Sequence, residues 1–190
     1  MTIPTRQVDD ARTIRALAHP VRLALLQLLV ARGPMTATEA GEALGESPAS
    51  ASFHLRTLAK YGYVEEAGAG PGRRRPWRAV REQQRIDHQQ LAGEAVAAGE
   101  ELSRVLAAHA EQLYEGWLRR RHAEDPTWRG LSDETNVVLR LTPEEAARLN
   151  DELGDLLARW THAVRDPEPG DGRRSVFLAM RTFPLAVDGR

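Results

Sequence analysis

Apolar residues recur at intervals of three and four along residues 8–30, which is the spacing of one face of an amphipathic helix. His19-Pro20 interrupts this stretch. Proline is accepted at the first position of a helix, where its missing N–H is not needed, and is disfavoured in the interior. The pattern therefore predicts two helices, with the second beginning at Pro20.

Two further helix starts follow. Thr36 and Glu39 form a capping box, in which each side chain can satisfy the backbone N–H of the other residue. Ser47 and Pro48 then supply an N-cap and a first-turn proline for a helix over residues 48–61. Two short helices separated by a few turn residues predict a helix-turn-helix.

The second helix of this pair has two different faces. At about 100° per residue, Ala51, Leu55 and Leu58 share the face that should pack on the core. The opposite face and its flanks carry two cations, an aromatic ring and small hydroxyls, which suit the base edges and phosphates of a major groove. These residues are Ala49, Phe53, Arg56 and Lys60, flanked by Ser50, Ser52 and Thr57. Taken alone, the helix fits a solvated basic face equally well.

A basic hairpin follows directly. Residues 63–80 predict two short strands joined by a glycine-proline tip. The three arginines beside the tip are Arg73, Arg74 and Arg75. Only Glu65 and Glu66 are near enough to neutralise them, whereas a phosphate backbone would neutralise all three and release its counterions. The hairpin therefore favours nucleic acid as the partner of this region.

Residues 81–121 contain no proline and predict one long helix. Its apolar stripe has near-heptad spacing and runs through Leu91, Ala95, Ala98, Leu102, Val105, His109, Leu113 and Trp117. A helix of this length would span roughly 60 Å, more than a winged domain can cover, so the stripe needs a partner helix. Dimerisation is the preferred interpretation, with His109 as a hydrogen-bonded interface residue rather than a metal ligand.

The last sixty residues predict a strand over 135–141, a helix opened by the capping box of Thr142 and Glu145, and a strand over 175–183. A unit of this size is small for an independent core, so it should pack on the long helix or on another subunit. Its large apolar residues fit a plain core better than a pocket for a small-molecule effector. They are Trp128, Trp160, Phe177, Met180 and Phe183.

The 190 residues include no cysteine, which excludes disulfides, thiolate metal sites and cysteine nucleophiles. The net charge of −1 hides an asymmetry, because residues 1–80 hold 11 Lys or Arg against 7 Asp or Glu, and residues 81–190 hold 15 against 20. The basic part is the one expected to meet an anion. No apolar run approaches the roughly 18 residues of a membrane span and no secretion signal occurs, so we expect a soluble cytoplasmic protein with no membrane partner.

No catalytic motif occurs, since the GxSxG, Walker and HExxH patterns are absent and the six histidines are scattered without a paired acid at a recognisable spacing. We therefore expect no enzyme activity and no cofactor. Asp87, His88, Glu94 and His109 are of metal-ligand types, but His88 and His109 would lie about 32 Å apart along a continuous helix. No metal site is expected within one chain, which leaves only a site shared across a dimer.

Four stretches of the first eighty residues together resemble the ArsR-type winged helix-turn-helix transcription regulators. They are RALAHPVRLALLQLL, TATEAGEALG, SASFHLRTLAKYGYVEE and GRRRPWRAV, and they cover about residues 11–80. The resemblance implies a homodimer that places two recognition helices in successive major grooves of double-stranded operator DNA, usually repressing transcription until an effector binds. It also implies a set of DNA contacts, namely Ser50, Ser52, Phe53, His54 and Arg56, with Arg73, Arg74 and Arg75 in the wing. Many members of this family sense metals through a cysteine pair, which this chain lacks.

These observations predict a mainly helical fold with a small amount of β-structure. Its parts are a winged helix-turn-helix DNA-binding domain over 1–80, a long helical dimerisation segment over 81–130, and an α/β strand-helix-strand unit over 131–190 for dimerisation or effector binding. The predicted function is a sequence-specific transcription regulator, a homodimeric repressor that reads the major groove with helix 48–61, including Lys60, and phosphates or the minor groove with the wing over 65–80. The alternative is a winged-helix module for protein contacts without specific DNA binding.

Overall fold

The computed structural model describes residues 5–68, 75–80, 82–88, 90–131, 133–163 and 172–186. Its contacts divide the chain into a first unit, residues 1–113 with 166–173, and a second unit, residues 114–165 with 174–190. The helices are α1 Ala11–Leu17, α2 Pro20–Arg32, α3 Ala37–Leu44, α4 Pro48–Lys60, α5 Glu94–Arg120, α6 Pro126–Gly130 and α7 Pro143–Ala163. The strands are β1 Thr5–Gln7, β2 Val64–Glu66, β3 Trp77–Ala79 and β4 Gln83–Arg85.

The helix starts of the first unit are set by local side chains. The second helix begins at Pro20 as predicted, and the Nδ1 atom of His19 accepts a hydrogen bond from the backbone N–H of Val21 at 3.2 Å. The capping box of Thr36 and Glu39 is confirmed, with both reciprocal hydrogen bonds formed. These caps satisfy backbone donors that a helix end leaves free, so the local sequence fixes where α2 and α3 begin.

The first core lies between α2, α3, α4 and the β2–β3 hairpin. Its buried residues are Ala16, Leu25, Leu29, Ala40, Ala51, Leu55, Leu58, Tyr63 and Val64. The predicted core face of α4 is confirmed, because its three apolar residues are fully buried. Tyr63 donates a hydrogen bond from its hydroxyl to the carbonyl oxygen of Thr13 at 2.9 Å, and burial raises the pKa of Tyr63 to about 12.

The predicted hairpin is present. Strands β2 and β3 are antiparallel, with Glu65 opposite Arg78 and Glu66 opposite Trp77. Met35 extends this pairing, since its N–H donates to the carbonyl oxygen of Trp77 at 3.0 Å and its own carbonyl accepts from the N–H of Trp77 at 2.7 Å. The predicted tip over 68–72 lies, except for residue 68, outside the described residues.

The predicted helix over 81–121 is wrong at its beginning. Residues 83–85 instead form β4, which pairs in parallel with β1, and the N–H of Val8 donates to the carbonyl of Arg85 at 3.0 Å. Helix α5 starts only at Glu94, directly after Gly93, whose φ of 55° is left-handed. The backbone of 83–85 is therefore held by the N-terminal strand, and α5 is a helix of 27 residues, about 40 Å long.

A second core covers the first turns of α5. Val8, Ile14, Ala18, Ala95, Ala98 and Leu102 form this buried cluster. The first half of the predicted stripe therefore packs on the N-terminal part of its own chain. His109 is hydrogen-bonded, as predicted, and its Nε2 atom lies 2.6 Å from the Oε1 atom of Gln27 on α2 of the same chain. Its place at an interface with another chain stays a prediction. Burial lowers the pKa of His109.

The second unit contains α6, α7 and two segments without regular structure. The capping box of Thr142 and Glu145 is confirmed, because Thr142 N donates to Glu145 Oε2 at 2.9 Å and Glu145 N donates to Thr142 Oγ1 at 3.2 Å. The predicted strands over 135–141 and 175–183 are wrong for a single chain, since neither described segment belongs to a strand in it. A strand is completed by backbone hydrogen bonds to a neighbouring strand, and within one chain these segments do not form such a ladder.

The predicted core of the second unit is also wrong for a single chain. Trp160, Phe177, Met180 and Phe183 are all large apolar residues of the exposed class, and Trp128 is half-buried. Without paired strands there is no sheet face on which α7 could bury them. The strand-helix-strand unit is thus a helix flanked by two irregular apolar segments.

In the part of the chain that the structure describes, no single helix is long and apolar enough to cross a membrane. Helices α1 and α2 reach the required length only together, and they bend by 75° at their junction. Their buried residues, such as Ile14 and Leu25, belong to the two cores. Among the same residues, no three His, Asp or Glu side chains come together to hold a metal ion.

Candidate nucleic-acid interface

A tight turn joins α3 to α4. Gly45 ends α3 in the left-handed conformation, with φ of 71°, and the hydroxyl of Ser47 caps α4 by accepting from the N–H of Ser50 at 3.1 Å. Gly41 is buried where the two helices approach each other, and a Cβ added there would lie only 2.9 Å from the main-chain oxygen of Glu46. The sequence thus fixes a short turn and a close helix pair, which is the geometry of a helix-turn-helix.

The outer face of α4 is solvent-exposed along its whole length. Ala49, Phe53, Arg56 and Lys60 are all exposed, opposite the buried Leu55 side of the helix. The ring of Phe53 is notable because 58% of this large apolar residue is accessible. Arg56 has no ion-pair partner among the described residues. The face therefore offers two cations and one ring to a partner.

The hydroxyls on the flanks of α4 differ in their availability. Ser50 donates from Oγ to Glu46 Oε2 at 2.8 Å, and Thr57 donates from Oγ1 to the carbonyl of Phe53 at 3.0 Å. Ser52 is half-buried. A DNA contact by Ser50 would therefore have to compete with Glu46 for the same hydroxyl.

His54 points toward α2 instead of lying on the outer face. Its ring centroid lies 4.6 Å from that of His19 and 5.3 Å from that of Phe53. Its Nδ1 atom is buried without a hydrogen-bond partner among the described residues. Burial lowers the pKa of His54, and the neighbouring His19 and Arg22 lower it further.

The hairpin arginines are only partly described. Arg75 is exposed and lies 3.5 Å from the carboxylate of Glu66, and Arg78 lies 2.9 Å from that of Glu65. The two local acids are therefore already engaged by Arg75 and Arg78. Arg73 and Arg74 lie outside the described residues, and their predicted role stays a prediction.

Two residues near α4 were missed by the sequence analysis. Arg6 on β1 donates from Nη1 to the carbonyl of Tyr61 at 3.0 Å and thereby caps the end of α4. His19 both caps α2 and supports the ring of His54. The position of His19 directly before a first-turn proline was a usable signal, whereas nothing local connects Arg6 to Tyr61, 55 residues away.

The geometry of the first unit agrees with comparisons to known sequences. A model of a helix-turn-helix domain matches residues 17–67, which include α2, α3, α4 and β2. A 63-residue stretch is 48% identical to the probable mercury resistance operon repressor of Streptomyces lividans. Residues 17–67 are therefore similar to a helix-turn-helix domain. The aligned stretch is 33% of this chain, and it spans only half the length of that repressor.

Solved structures also resemble this chain in part. Two structures of a Lactococcus lactis ZitR mutant, one of them in apo form, are 18% identical to it, with TM-scores of 0.29 and 0.31. The first covers 74% of this chain and 73% of its own, and the second covers 76% and 83%. Scores this low add nothing to the assignment, so the helix-turn-helix domain rests on its own geometry and on the sequence matches.

Proposed function

We propose that the chain is a sequence-specific DNA-binding transcription regulator, a homodimeric repressor that reads operator DNA with α4. The observation that carries this proposal is the exposed outer face of α4, with Phe53, Arg56 and Lys60 opposite a fully buried face. A helix of 13 residues is about 20 Å long, and the major groove of B-DNA, about 12 Å wide, admits such a helix.

The roles of the contacts follow from their chemistry. Arg56 can donate two hydrogen bonds to a guanine edge, and Phe53 can meet a thymine methyl group. The phosphates or the minor groove are contacted by Lys60 and by the wing arginines Arg73, Arg74 and Arg75. Phosphate contacts position the protein on the DNA but do not read its sequence. Ser50 and Ser52 add hydroxyls beside the groove. His54 supports the position of α4 through its ring, which packs against the ring of His19.

Repression is supported by the similarity to the Streptomyces relative, which is a probable operon repressor. We place the protein in the cytoplasm, and neither the sequence nor the structure assigns it a small-molecule effector. We do not extend the mercury response suggested by the name of that relative to this chain, because its sequence has no cysteine thiolate for a soft metal ion. A homodimer would present two copies of α4 to a palindromic site.

The experiment begins with the purified protein and sheared genomic DNA from its source. DNA that stays bound at moderate salt is recovered and sequenced, and enrichment of a few palindromic sites is the expected result. If DNA is not retained at any salt concentration, the DNA-binding proposal is wrong and the winged-helix protein-interaction module becomes the better explanation.

Two sets of variants then separate sequence reading from phosphate contacts. Arg56→Ala should weaken binding to the enriched site by about 1–3 kcal/mol, five- to 150-fold, and affect random DNA much less. Replacing Arg73, Arg74 and Arg75 by alanine should weaken all DNA and flatten the salt slope by about 0.9 per lost phosphate contact. Arg104→Ala is the matched control, since it removes an exposed arginine of α5 that pairs with Glu100 at 3.1 Å. An equal loss on specific and random DNA would make Arg56 a backbone contact.

A further inference from the structure

The second unit exposes a set of large apolar residues on two segments. Val137, Val138, Leu139, Leu141, Val176, Phe177, Leu178, Met180, Phe183 and Leu185 are each between 41% and 77% exposed. None of the described residues of this unit whose burial is known, in 114–131, 133–161 and 174–186, is buried. In a single chain these described residues therefore form no core, although the sequence of the unit has the apolar content of one.

The two segments are anchored near their first residues. The hydroxyl of Tyr114 donates to Glu134 Oε2 at 2.5 Å, just before the first segment. Arg174, just before the second, forms two hydrogen bonds to the carboxylate of Glu124, at 2.8 and 2.9 Å, and its guanidinium lies 5.0 Å from the ring centroid of Trp128. The exposed apolar residues thus belong to segments that side-chain contacts hold at one end, and not to a free tail.

Both segments are also composed like strands. Residues 137–141 and 176–183 are rich in β-branched, aromatic and other apolar residues, which fit a pleated and half-buried surface. Their backbone N–H and C=O groups need partners once they leave water, and a neighbouring strand supplies them. Helix α7 could pack on one face of such a sheet, because it carries apolar residues that are not fully buried. They are Leu149, Leu153 and Leu157, which are half-buried, and Trp160, which is exposed.

The exposed area is of the size that a stable dimer buries. Ten large side chains that are on average somewhat more than half exposed present roughly 900 Å² in total, taking about 150 Å² for each when fully exposed. A stable interface of standard size takes about 800 Å² from each partner.

The charge and the number of segments favour a second copy as the occupant. The second unit holds 11 Arg and 11 Asp or Glu, so two copies of it do not repel each other and it presents no excess charge to a nucleic acid or to a charged protein. One chain supplies two strand-like segments, and a sheet of two strands by itself is only marginally stable in water. Two chains supply four segments and two copies of α7.

We infer that a second copy of this chain completes the second unit, with residues 135–141 and 175–183 of both copies forming one shared sheet under two α7 helices. This inference rests on the proposed homodimer and names the surface that joins it. It assigns the last sixty residues to assembly, where the sequence alone left dimerisation and effector binding as alternatives.

The first test introduces a charge at the two most exposed valines of the segments, Val138 and Val176, which are 76% and 77% exposed. Val138→Lys and Val176→Lys disturb little in a single chain, but they place a cation inside the shared sheet. We expect the full-length protein to be a dimer by sedimentation and each variant to raise the dimer dissociation constant at least 100-fold. Val30→Lys, at a valine of the first unit that is 65% exposed, should leave it unchanged.

The second test avoids charge and uses the absence of cysteine from the chain. Val138→Cys and Val176→Cys each introduce the only thiol, so a short bis-maleimide can join two chains only through that position. Covalent dimers are expected for both variants and not for Val30→Cys. This measurement remains informative even if a lysine variant fails to fold, because cysteine is close to valine in size and polarity.

The outcomes separate this inference from the homodimer on which it rests. A wild-type protein that is monomeric at all concentrations overturns both, and a different protein or a small molecule would then be the cover of these segments. A wild-type dimer that survives both lysine variants and gives no covalent dimer overturns only the shared sheet, and places the homodimer contact elsewhere.

Discussion

Replacing Gly41 by alanine tests the close approach of α3 and α4. A Cβ at this position would lie 2.9 Å from the main-chain oxygen of Glu46 and 3.4 Å from both the Cβ of Ala51 and the main-chain oxygen of Ser47. The first distance is shorter than real Cβ contacts, and a main-chain oxygen in a turn cannot rotate away as the end of a flexible side chain can. Gly41→Ala must therefore push α3 and the turn away from α4.

Two opposing effects decide the sign of the change in stability. Alanine is more favourable than glycine inside a helix by about 1 kcal/mol. Adding a methyl group to a tightly packed site costs typically about 1–3 kcal/mol. The difference is roughly 0–2 kcal/mol, and because the overlap is with main chain on the turn that starts α4, we expect the upper half of this range, a net destabilisation of roughly 1–2 kcal/mol. For a chain of 190 residues this lowers the Tm by about 2–8 °C.

The assay compares two glycine-to-alanine changes in helices. In α7, a Cβ at Gly154 meets nothing within 4 Å, so Gly154→Ala should stabilise the protein by up to about 1 kcal/mol. Thermal unfolding followed by circular dichroism should thus shift in opposite directions for the two variants, and Gly41→Ala should also weaken operator binding. A Gly41→Ala protein that is as stable as the wild type, with full operator affinity, would refute the close approach of the two helices.

Three further outcomes follow from individual contacts. Leu55→Ala, at a fully buried residue of α4, should cost about 2–5 kcal/mol in urea unfolding, and a loss below 1 would contradict the packing. Tyr63→Phe removes the hydrogen bond to Thr13 and should cost about 1 kcal/mol. Because the pKa of Tyr63 is raised from 10 to about 12, the protonated hydroxyl stabilises the folded protein fully below pH 10, and this contribution is lost between pH 10 and 12. The free energy of unfolding of Tyr63→Phe should not show this decrease. The Arg174 guanidinium lowers the pKa of Glu124 to about 2, so Glu124 should stay ionised and paired until the pH approaches 2. The stabilisation from this ion pair is complete above pH 4.5 and is lost as the pH falls from there toward 2, and an NMR titration of Glu124 with its midpoint near 4.5 would contradict it.

The elements that the sequence predicts correctly are those with local signals. Helix starts are fixed within a few residues by the caps at Thr36 and Ser47 and by the first-turn prolines Pro20 and Pro48. The buried face of α4 follows from apolar residues at intervals of three and four. These signals depend only on hydrogen bonds and burial within a helix turn, so they are readable without the tertiary structure.

The elements that the sequence analysis missed depend on distant partners. Strands β1 and β4 are three residues each and pair across 78 positions, so no short window contains the reason for either. The segments at 135–141 and 175–183 have the composition of strands, and composition alone does not supply the neighbouring backbone that a ladder requires. His54 sits on a flank of the α4 wheel, where only the position of His19 decides that its ring turns inward.

The strand pair of β1 and β4 sets the limits of an autonomously folding fragment. Residues 11–80, the stretch covered by the motifs, would omit Val8 and the Arg6 cap on Tyr61 at one end, and Ala95, Ala98 and Leu102 at the other. Ile14 would then expose its apolar surface to water. A DNA-binding fragment that folds by itself has to extend from about residue 5 into the third turn of α5. A tag fused directly to residue 5 would interfere with the pairing of β1 and β4.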